Sequence, residues 1–373
     1  MIGSAATMPA SPPRSDAPDA FGAYLDDCRT RILGEIRRLV PDDTRHSGRL
    51  YELMLDYPLR QGKALRPALC IATCRVLGGH VESVLRTAAV LELYHNAFLI
   101  HDDVEDGSHK RRSTPTLHQL HGVPIAVNVG DGMLALTLEP LLDNIELVGL
   151  GRALRILQTV ARMARESAEG QMMELEWVRR GSWTPTDRDY VRMVYKKTSW
   201  YTFVAPIAVG AIAAGADADA VEALKRFAVP LGVAFQIQDD VLNLIGEEAR
   251  YGKEIHGDLW EGKHTLALIH ALRSAPPAAR ARALHILEKR RPPADGSVPR
   301  ESLDGAIWRT QEDVEFLRAL IGRTGAIEHA LRCARRHADR ARRSFEAVSR
   351  AWPSSVHRSF LAELVDFVVK RDW

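Results

Sequence analysis

One seven-residue phrase occurs twice in this chain, and the pair restricts its fold more than any other feature. Phe98 to Val104 reads F-L-I-H-D-D-V and Phe235 to Val241 reads F-Q-I-Q-D-D-V. Both fit F-x-I-x-D-D-V, and they lie 137 residues apart counted from Asp102 to Asp239 (239 − 102). Apolar residues lead into each copy, so the pattern predicts two apolar helices carrying an Asp-Asp pair at matching places. If residues 90 to 106 are helical, Asp102 and Asp106 share a face one turn apart, and Asp103 beside them also reaches Asp106. A single Asp-Asp pair is most simply a solvated helix end. Two matched pairs, each followed by a basic loop containing glycine, point to a site.

Three carboxylates converging on one patch repel one another and push their own pKa values up. Such a cluster makes physical sense where a divalent cation neutralises it. Ligation by oxygen alone, with few protein groups per ion, suits Mg²⁺, which keeps several waters and shares substrate phosphates.

Composition narrows the partners. At 373 residues, length alone does not choose between one large domain and two ordinary ones, and a 46% hydrophobic share allows a sizeable core. Fifty basic residues against 48 acidic ones give a net charge of +2, too balanced for a general nucleic-acid or anionic-membrane binder. Any cationic site must therefore be local. Cys28, Cys70, Cys74 and Cys333 lack zinc spacing and disulfide density, and Cys70 and Cys74 are expected to pack as small apolar groups in a reducing cytosol. No run approaches the length of a membrane span and the start lacks the order of a secretory signal, so the expectation is a soluble cytoplasmic protein.

Residues 1 to 19, rich in Ala, Ser, Pro and Asp, are expected to form a disordered tail. From Phe21 a helical pattern places Tyr24, Leu25, Cys28, Ile32 and Ile36 three or four apart, and Pro41 ends it. A second helix runs through Tyr51 to Leu55 and stops near Pro58. Lys63 and Arg66 then stand three apart at a helix opening, where free backbone N–H groups favour an anion. The helix predicted from Glu82 to Asp106 is apolar on most sides, hence buried, with His95 two turns before Asp102. Arg111 and Arg112 follow on a loop, and their forks suit phosphate oxygens.

Further helices are expected over 133 to 148 and 151 to 179, with Gln171 and Glu174 toward any cavity. The pattern leaves open whether Pro206 and Pro230 kink their helices or end them. Gln236 lies one turn before Asp239 on the same face. The loop from 251 to 266 supplies Lys253 and Lys263 with Asp258 and Glu261. Pro292 to Gly305 is an exposed loop, after which helices near 309 to 321 and 325 to 350 and a last one ending at Trp373 complete the chain. Arg332, Arg335, Arg336, Arg340, Arg342 and Arg343, interspersed with acids, read as a solvated face. Helix follows helix with no alternating strands and no internal boundary, so one all-α domain over residues 20 to 373 is expected.

Taken jointly, these motifs resemble the trans-type isoprenyl diphosphate synthases, or polyprenyl synthetases, over roughly residues 20 to 373. The first aspartate motif is an intact D-D-x-x-D; the second is D-D-x-x-N, with Asn243 in place of a third Asp. The phrases P-T-L-H-Q-L-H-G and A-V-N-V-G-D also match, and Asn128 and Asp131 within them are read as mainly structural. The resemblance implies an antiparallel helical bundle whose two motifs face each other across a central cavity. It implies several Mg²⁺ ions on Asp102, Asp103, Asp106, Asp239 and Asp240. Isopentenyl diphosphate is then held by Lys63, Arg66, His95 and Arg112, and the allylic diphosphate by Arg111, Lys197, Thr198 and Lys263, with Gln236 and Lys253 nearby. Where the family commonly has R-R-G, this chain has Arg111-Arg112-Ser113, which alters the loop without removing a charge.

Product length is expected to depend on side chains below the first motif, namely Tyr94, Ala97 and Phe98. In family terms these look most like a twenty-carbon, geranylgeranyl-producing pocket, with fifteen and twenty-five carbons open. Homodimerisation is a family expectation. Two competing readings are a terpene synthase on the same scaffold, which needs no isopentenyl site, and a non-catalytic subunit of a synthase heteromer, which could lose a metal carboxylate.

Overall fold

The 4-3-4-4 spacing of Phe21, Leu25, Cys28, Ile32 and Ile36 buries one stripe of α1 (Ala20–Leu39). A computed structural model describes residues 20–42, 47–60, 62–246, 255–292 and 308–370. The expected tail, the 293–305 loop, Lys253 and the end of the last helix at Trp373 lie outside the described residues.

After α1 come α2 (Gly48–Leu59), α3 (Leu65–Val76) and α4 (Leu85–Glu105). A two-residue hairpin, β1 (Lys110–Arg111) with β2 (Thr114–Pro115), is the only sheet among the described residues. Then follow α5 (Leu117–His121), α6 (Val123–Leu136), α7 (Leu138–Val148) and α8 (Leu150–Arg180). α9 (Asp187–Val194), a π-helix (Tyr195–Val204) and α10 (Ala205–Ala213) run on as one rod. α11 (Ala218–Ile245), α12 (Gly257–Glu261), α13 (Leu266–Ser274) and α14 (Pro277–Glu288) precede α15 (Gln311–Arg323), α16 (Ala326–Ser349) and α17 (Val356–Lys370).

Local chemistry starts several of these helices. Thr186 with Asp189 and Thr310 with Asp313 form reciprocal capping boxes, and Asp217 and Thr265 cap α11 and α13. α4 is buried on nearly every side, as its all-round apolar sequence requires, and is wrapped by α1, α3, α6 and α7. α11 packs along α16 and the π-helix, and carries residues of both large apolar clusters.

The prolines fall as follows: α2 ends one residue after Pro58, as expected, Pro230 is accommodated inside α11, and Pro206 stands where the π-helix passes into α10. The apolar stretch Val123–Val148 does reach, by length and composition only, what a membrane-crossing helix needs, where the sequence reading saw no such run. It comprises α6 and α7. The arginines of α16 are exposed as expected, and the four cysteines are buried and unbridged.

Candidate active site

α4 brings Asp102, and α11 brings its Asp pair, to one cavity of about 1,070 Å³. Asp102 and Asp239 both line it, together with Asp240 and Asn243. So do Gly62, Lys63, Arg66, His95, Arg111 and Arg112 from one side and Gln171, Glu174, Lys197, Thr198, Gln236 and Lys263 from the other. The two sequence-predicted halves of the site therefore share a single hollow.

At the first motif the three aspartates separate into different roles. Asp102 accepts a 3.1 Å hydrogen bond from Lys197, which also bonds Glu174 at 2.5 Å. Burial opposes ionisation of Asp102, but Lys197, Lys263 and Arg111 outweigh it and hold the carboxyl below the usual range. Asp106, at the C-terminal end of α4, meets the Lys263 ammonium at 2.6 Å. Its burial, only partly offset by Lys263 and reinforced by Asp102 and Glu261, pushes it up to about 8.

Asp103 departs from the expected ligand set. It is fully buried, does not line the cavity, accepts a 2.6 Å hydrogen bond from Tyr57 and is gripped by Nε and Nη2 of Arg111. Its α-helical neighbours look alike in sequence, but its face turns into the bundle. The residue thus holds Arg111 in place from behind.

The second motif is built from a relay. Thr198 donates to Gln236 at 2.8 Å, Gln236 donates to Asp240 at 2.7 Å, and Tyr190 donates to the other Asp240 oxygen at 2.6 Å. Burial, only partly offset by those two donors and reinforced by Asp239, pushes Asp240 up to about 7. Asn243 stands where a third carboxylate was absent from the motif and accepts from the Asp258 backbone N–H at 3.1 Å. It thereby ties α12 to α11.

The π-helix explains how adjacent residues serve opposite walls. Lys197 reaches the first motif and Thr198 the second, whereas Lys196 turns away to pair with Glu166 at 2.7 Å and with Glu169. Gly170 of α8 permits this approach: a Cβ there would lie 2.3 Å from the Lys197 backbone nitrogen. Tyr201, on the same π-helix, was not singled out by sequence reasoning, yet it organises the other cationic group. The Arg66 guanidinium lies 4.4 Å from its ring centroid, and His95 and Phe98 flank it with ring centroids 5.9 and 5.8 Å away. Arg66 also donates to Thr202 at 2.8 Å, and Arg112 donates to the carbonyls of Tyr57 and Arg60 at 3.0 and 3.1 Å.

Of the three expected chain-length residues, Phe98 lines the cavity with Leu99, Tyr201 and Phe235. Tyr94 and Ala97 are buried in the core and do not line it; Tyr94 contacts Phe98 edge-on at 5.8 Å. Gln171 donates to Glu105 at 2.6 Å at the rim. Asn128 and Asp131 are exposed on α6, where Asp131 meets His101 at 3.3 Å. Tyr57, Tyr190 and Tyr201, all missed in the sequence, lie far from the motifs they support and carry no local signature.

Comparison with known proteins matches this geometry. A family model described as Polyprenyl synthetase fits residues 48–301. A short chain isoprenyl diphosphate synthase of Methanocaldococcus jannaschii is 34% identical over 289 residues, covering 77% of this chain and 82% of that protein. The crystal structure of geranylgeranyl pyrophosphate synthetase from Pyrococcus horikoshii superposes with a TM-score of 0.79 at 29% identity, over 95% of this chain and 98% of that one. A geranylgeranyl pyrophosphate synthase from Corynebacterium glutamicum, solved with isoprenyl diphosphate and magnesium, gives 0.78 at 25% identity, over 95% and 99%. With the family match spanning most of its length and both aspartate-bearing helices meeting at one cavity, this chain belongs to the polyprenyl synthetase family.

Proposed function

We propose that this chain is a prenyltransferase that joins isopentenyl diphosphate to an allylic diphosphate and makes geranylgeranyl diphosphate. The observation that carries the reading is the sharing of one cavity by Asp102 of the first motif, Asp239 and Asp240 of the second, and two cationic groups. Two diphosphates need two such groups, and a cyclase would need only one.

The donor set fits Mg²⁺. Carboxylates crowd the cavity at both motifs, and burial and like charge push Asp106 and Asp240 up until a cation relieves them. Among the described residues no three His, Cys, Asp or Glu side chains stand close enough to hold an ion by themselves. Asp102 and Asp106 on one helix and Asp239 and Asp240 on the other would hold such ions, with diphosphate oxygens completing the ligand set. When bound, Mg²⁺ supplies positive charge to those oxygens as the allylic C–O bond breaks.

The chain's own residues do the rest. Arg111, Lys197 and Lys263 stabilise the negative charge that develops on the departing pyrophosphate, with Thr198 and Gln236 orienting it. Lys63, Arg66, His95 and Arg112 hold isopentenyl diphosphate so that its double bond faces the allylic carbon. Phe98, Tyr201 and Phe235 line the space between, exclude water and offer aromatic faces to the allylic cation. The C–O bond ionises to the allylic cation and pyrophosphate, the isopentenyl double bond then adds to that cation to form the new C–C bond, and the proton lost from the adduct passes to the released pyrophosphate.

A second copy of the chain is the partner we assign to the apolar face of α6 to α8, where Leu138 and Leu150 are 56% and 58% exposed. Sedimentation velocity checks it: a dimer is expected, and a monomer at micromolar concentration would refute it. The functional test is to incubate the purified protein with Mg²⁺, isopentenyl diphosphate and each allylic primer, and to size the dephosphorylated products. A twenty-carbon linear alcohol supports the reading. A cyclic hydrocarbon would favour the terpene synthase instead, and no turnover with any primer would favour a non-catalytic subunit.

A further inference from the structure

Arg309 is a buried cation with no carboxylate at ion-pair distance among the described residues. Its Nε donates to the Ile286 carbonyl at 3.4 Å, Nη1 to those of Leu259 and Trp260 at 2.6 and 2.5 Å, and Nη2 to those of Leu287 and Lys289 at 3.2 and 2.9 Å. A guanidinium has five N–H groups, so every donor is satisfied. The acceptors are the terminal carbonyls of α12 and α14, where the negative ends of two helix dipoles lie. Burial lowers its pKa to about 10, which leaves it charged at neutral pH.

α12 has only five residues and cannot hold itself together. Directly after it Gly262 takes a left-handed φ of +74°, and a Cβ there would lie 3.2 Å from Arg309 Nη2. The next residue is Lys263, whose ammonium meets Asp106 at 2.6 Å and Glu261 at 3.0 Å. Glu261, the last residue of α12, also meets Arg291 at 2.7 Å and accepts from Ser108 at 3.2 Å. Arg309 itself lies beyond residue 301, where the match to the family model ends.

We propose that Arg309 is a positioning residue for Lys263: by pinning the end of α12 to the end of α14 it fixes the direction in which the lysine enters the diphosphate site. This rests on the reading of Lys263 as a diphosphate ligand. A lysine at 309 keeps the charge but cannot span two helix ends with a planar fork.

The test is a kinetic cycle on the full chain with wild type, Arg309→Lys, Lys263→Ala and the double variant, with melting curves for each. Arg309→Lys is expected to lower kcat/KM for the allylic diphosphate by about 10- to 100-fold. KM for isopentenyl diphosphate should stay within about twofold, because Lys63, Arg66, His95 and Arg112 are untouched. In the Lys263→Ala background Arg309→Lys should cost nothing more. An equal loss with and without Lys263, or unchanged kinetics, would overturn the proposal. If Arg309→Lys does not fold, Gly262→Ala displaces the same loop from its other side and takes its place in the cycle, with the same two outcomes. Absence of turnover by the wild type would overturn the functional reading instead. In that event calorimetric binding of inorganic pyrophosphate with Mg²⁺ to the four proteins repeats the cycle: loss of the Arg309 effect without Lys263 supports the positioning role, and additivity refutes it.

Discussion

The Tyr57 hydroxyl donates a 2.6 Å hydrogen bond to Asp103, and Arg111 closes on the same carboxylate from the other side. Asp103 is therefore spent on holding Arg111, while Asp102 faces the cavity. Asp102→Asn should leave the fold intact and lower kcat by roughly 100- to 1,000-fold. Asp103→Asn should instead cost about 3–5 kcal/mol, because it leaves the buried Arg111 guanidinium with only Asp102, 3.8 Å away, as a charged partner. Tyr57→Phe should cost about 1.5–3 kcal/mol. Chemical denaturation beside steady-state kinetics separates the two kinds of loss, and equal stability of Asp102→Asn and Asp103→Asn would refute the division.

Metal-free protein should lose stability as pH rises. Asp240 and Asp106 keep their protons to about 7 and about 8 in the folded chain. The unfolded chain releases them near an ordinary carboxylate value of about 4. Between those limits the folded state binds more protons, so stability is full below pH 4 for these groups and falls as pH climbs to 8. Melts in chelator from pH 5 to 8 should show the decline, Asp240→Asn should flatten it, and Mg²⁺ should raise Tm more at pH 8 than at pH 5. An Mg²⁺ effect larger at pH 5 would contradict this account.

Phe98 lines the cavity and packs edge-on against Tyr94 behind it and Tyr201 beside it, each at 5.8 Å. Phe98→Ala should lengthen the product by at least one isoprene unit. Ala97→Phe, at a position buried in the core, should cost about 1–3 kcal/mol by overpacking. Product sizing and melting curves on both variants check this, and unchanged product length in Phe98→Ala would remove it as the floor.

The hairpin after the first motif turns through Arg112 and Ser113, at φ values of +53° and +63°. Both central residues are left-handed, which is the geometry of a tight hairpin turn. Serine in the place where the family commonly carries glycine therefore preserves the loop's shape at a steric cost. Ser113→Gly should stabilise the chain by roughly 1 kcal/mol with little change in activity. Denaturant midpoints test it, and a loss of stability would refute it.

Much of this site was legible because repetition and helical spacing survive in sequence. Asp102 of the first motif, Asp239 and Asp240 of the second, Lys63 with Arg66, and His95 all line one cavity. What escaped was whatever depended on partners distant along the chain. Asp102 and Asp103 are equivalent until Tyr57, 46 residues earlier, and Arg111 claim one of them. Tyr201 gave no signal because an aromatic in an apolar helix is usually core. Tyr94 and Ala97 were placed by helical position alone, and small rotations of a fully buried helix decide which side chains reach a hollow.

The widened winding of Tyr195–Val204 leaves the protein unusually intolerant of a lost residue at that point. Excising one position would let the rod relax to ordinary α geometry with its hydrogen bonds intact and its apolar length nearly unchanged. Everything on one side would nonetheless swing by roughly 100° relative to the other. Such a deletion would move Lys197 and Thr198 off their opposite walls and turn the buried face of α9 out of register with the core, so a change of length is expected to be tolerated in the connecting segments and not here.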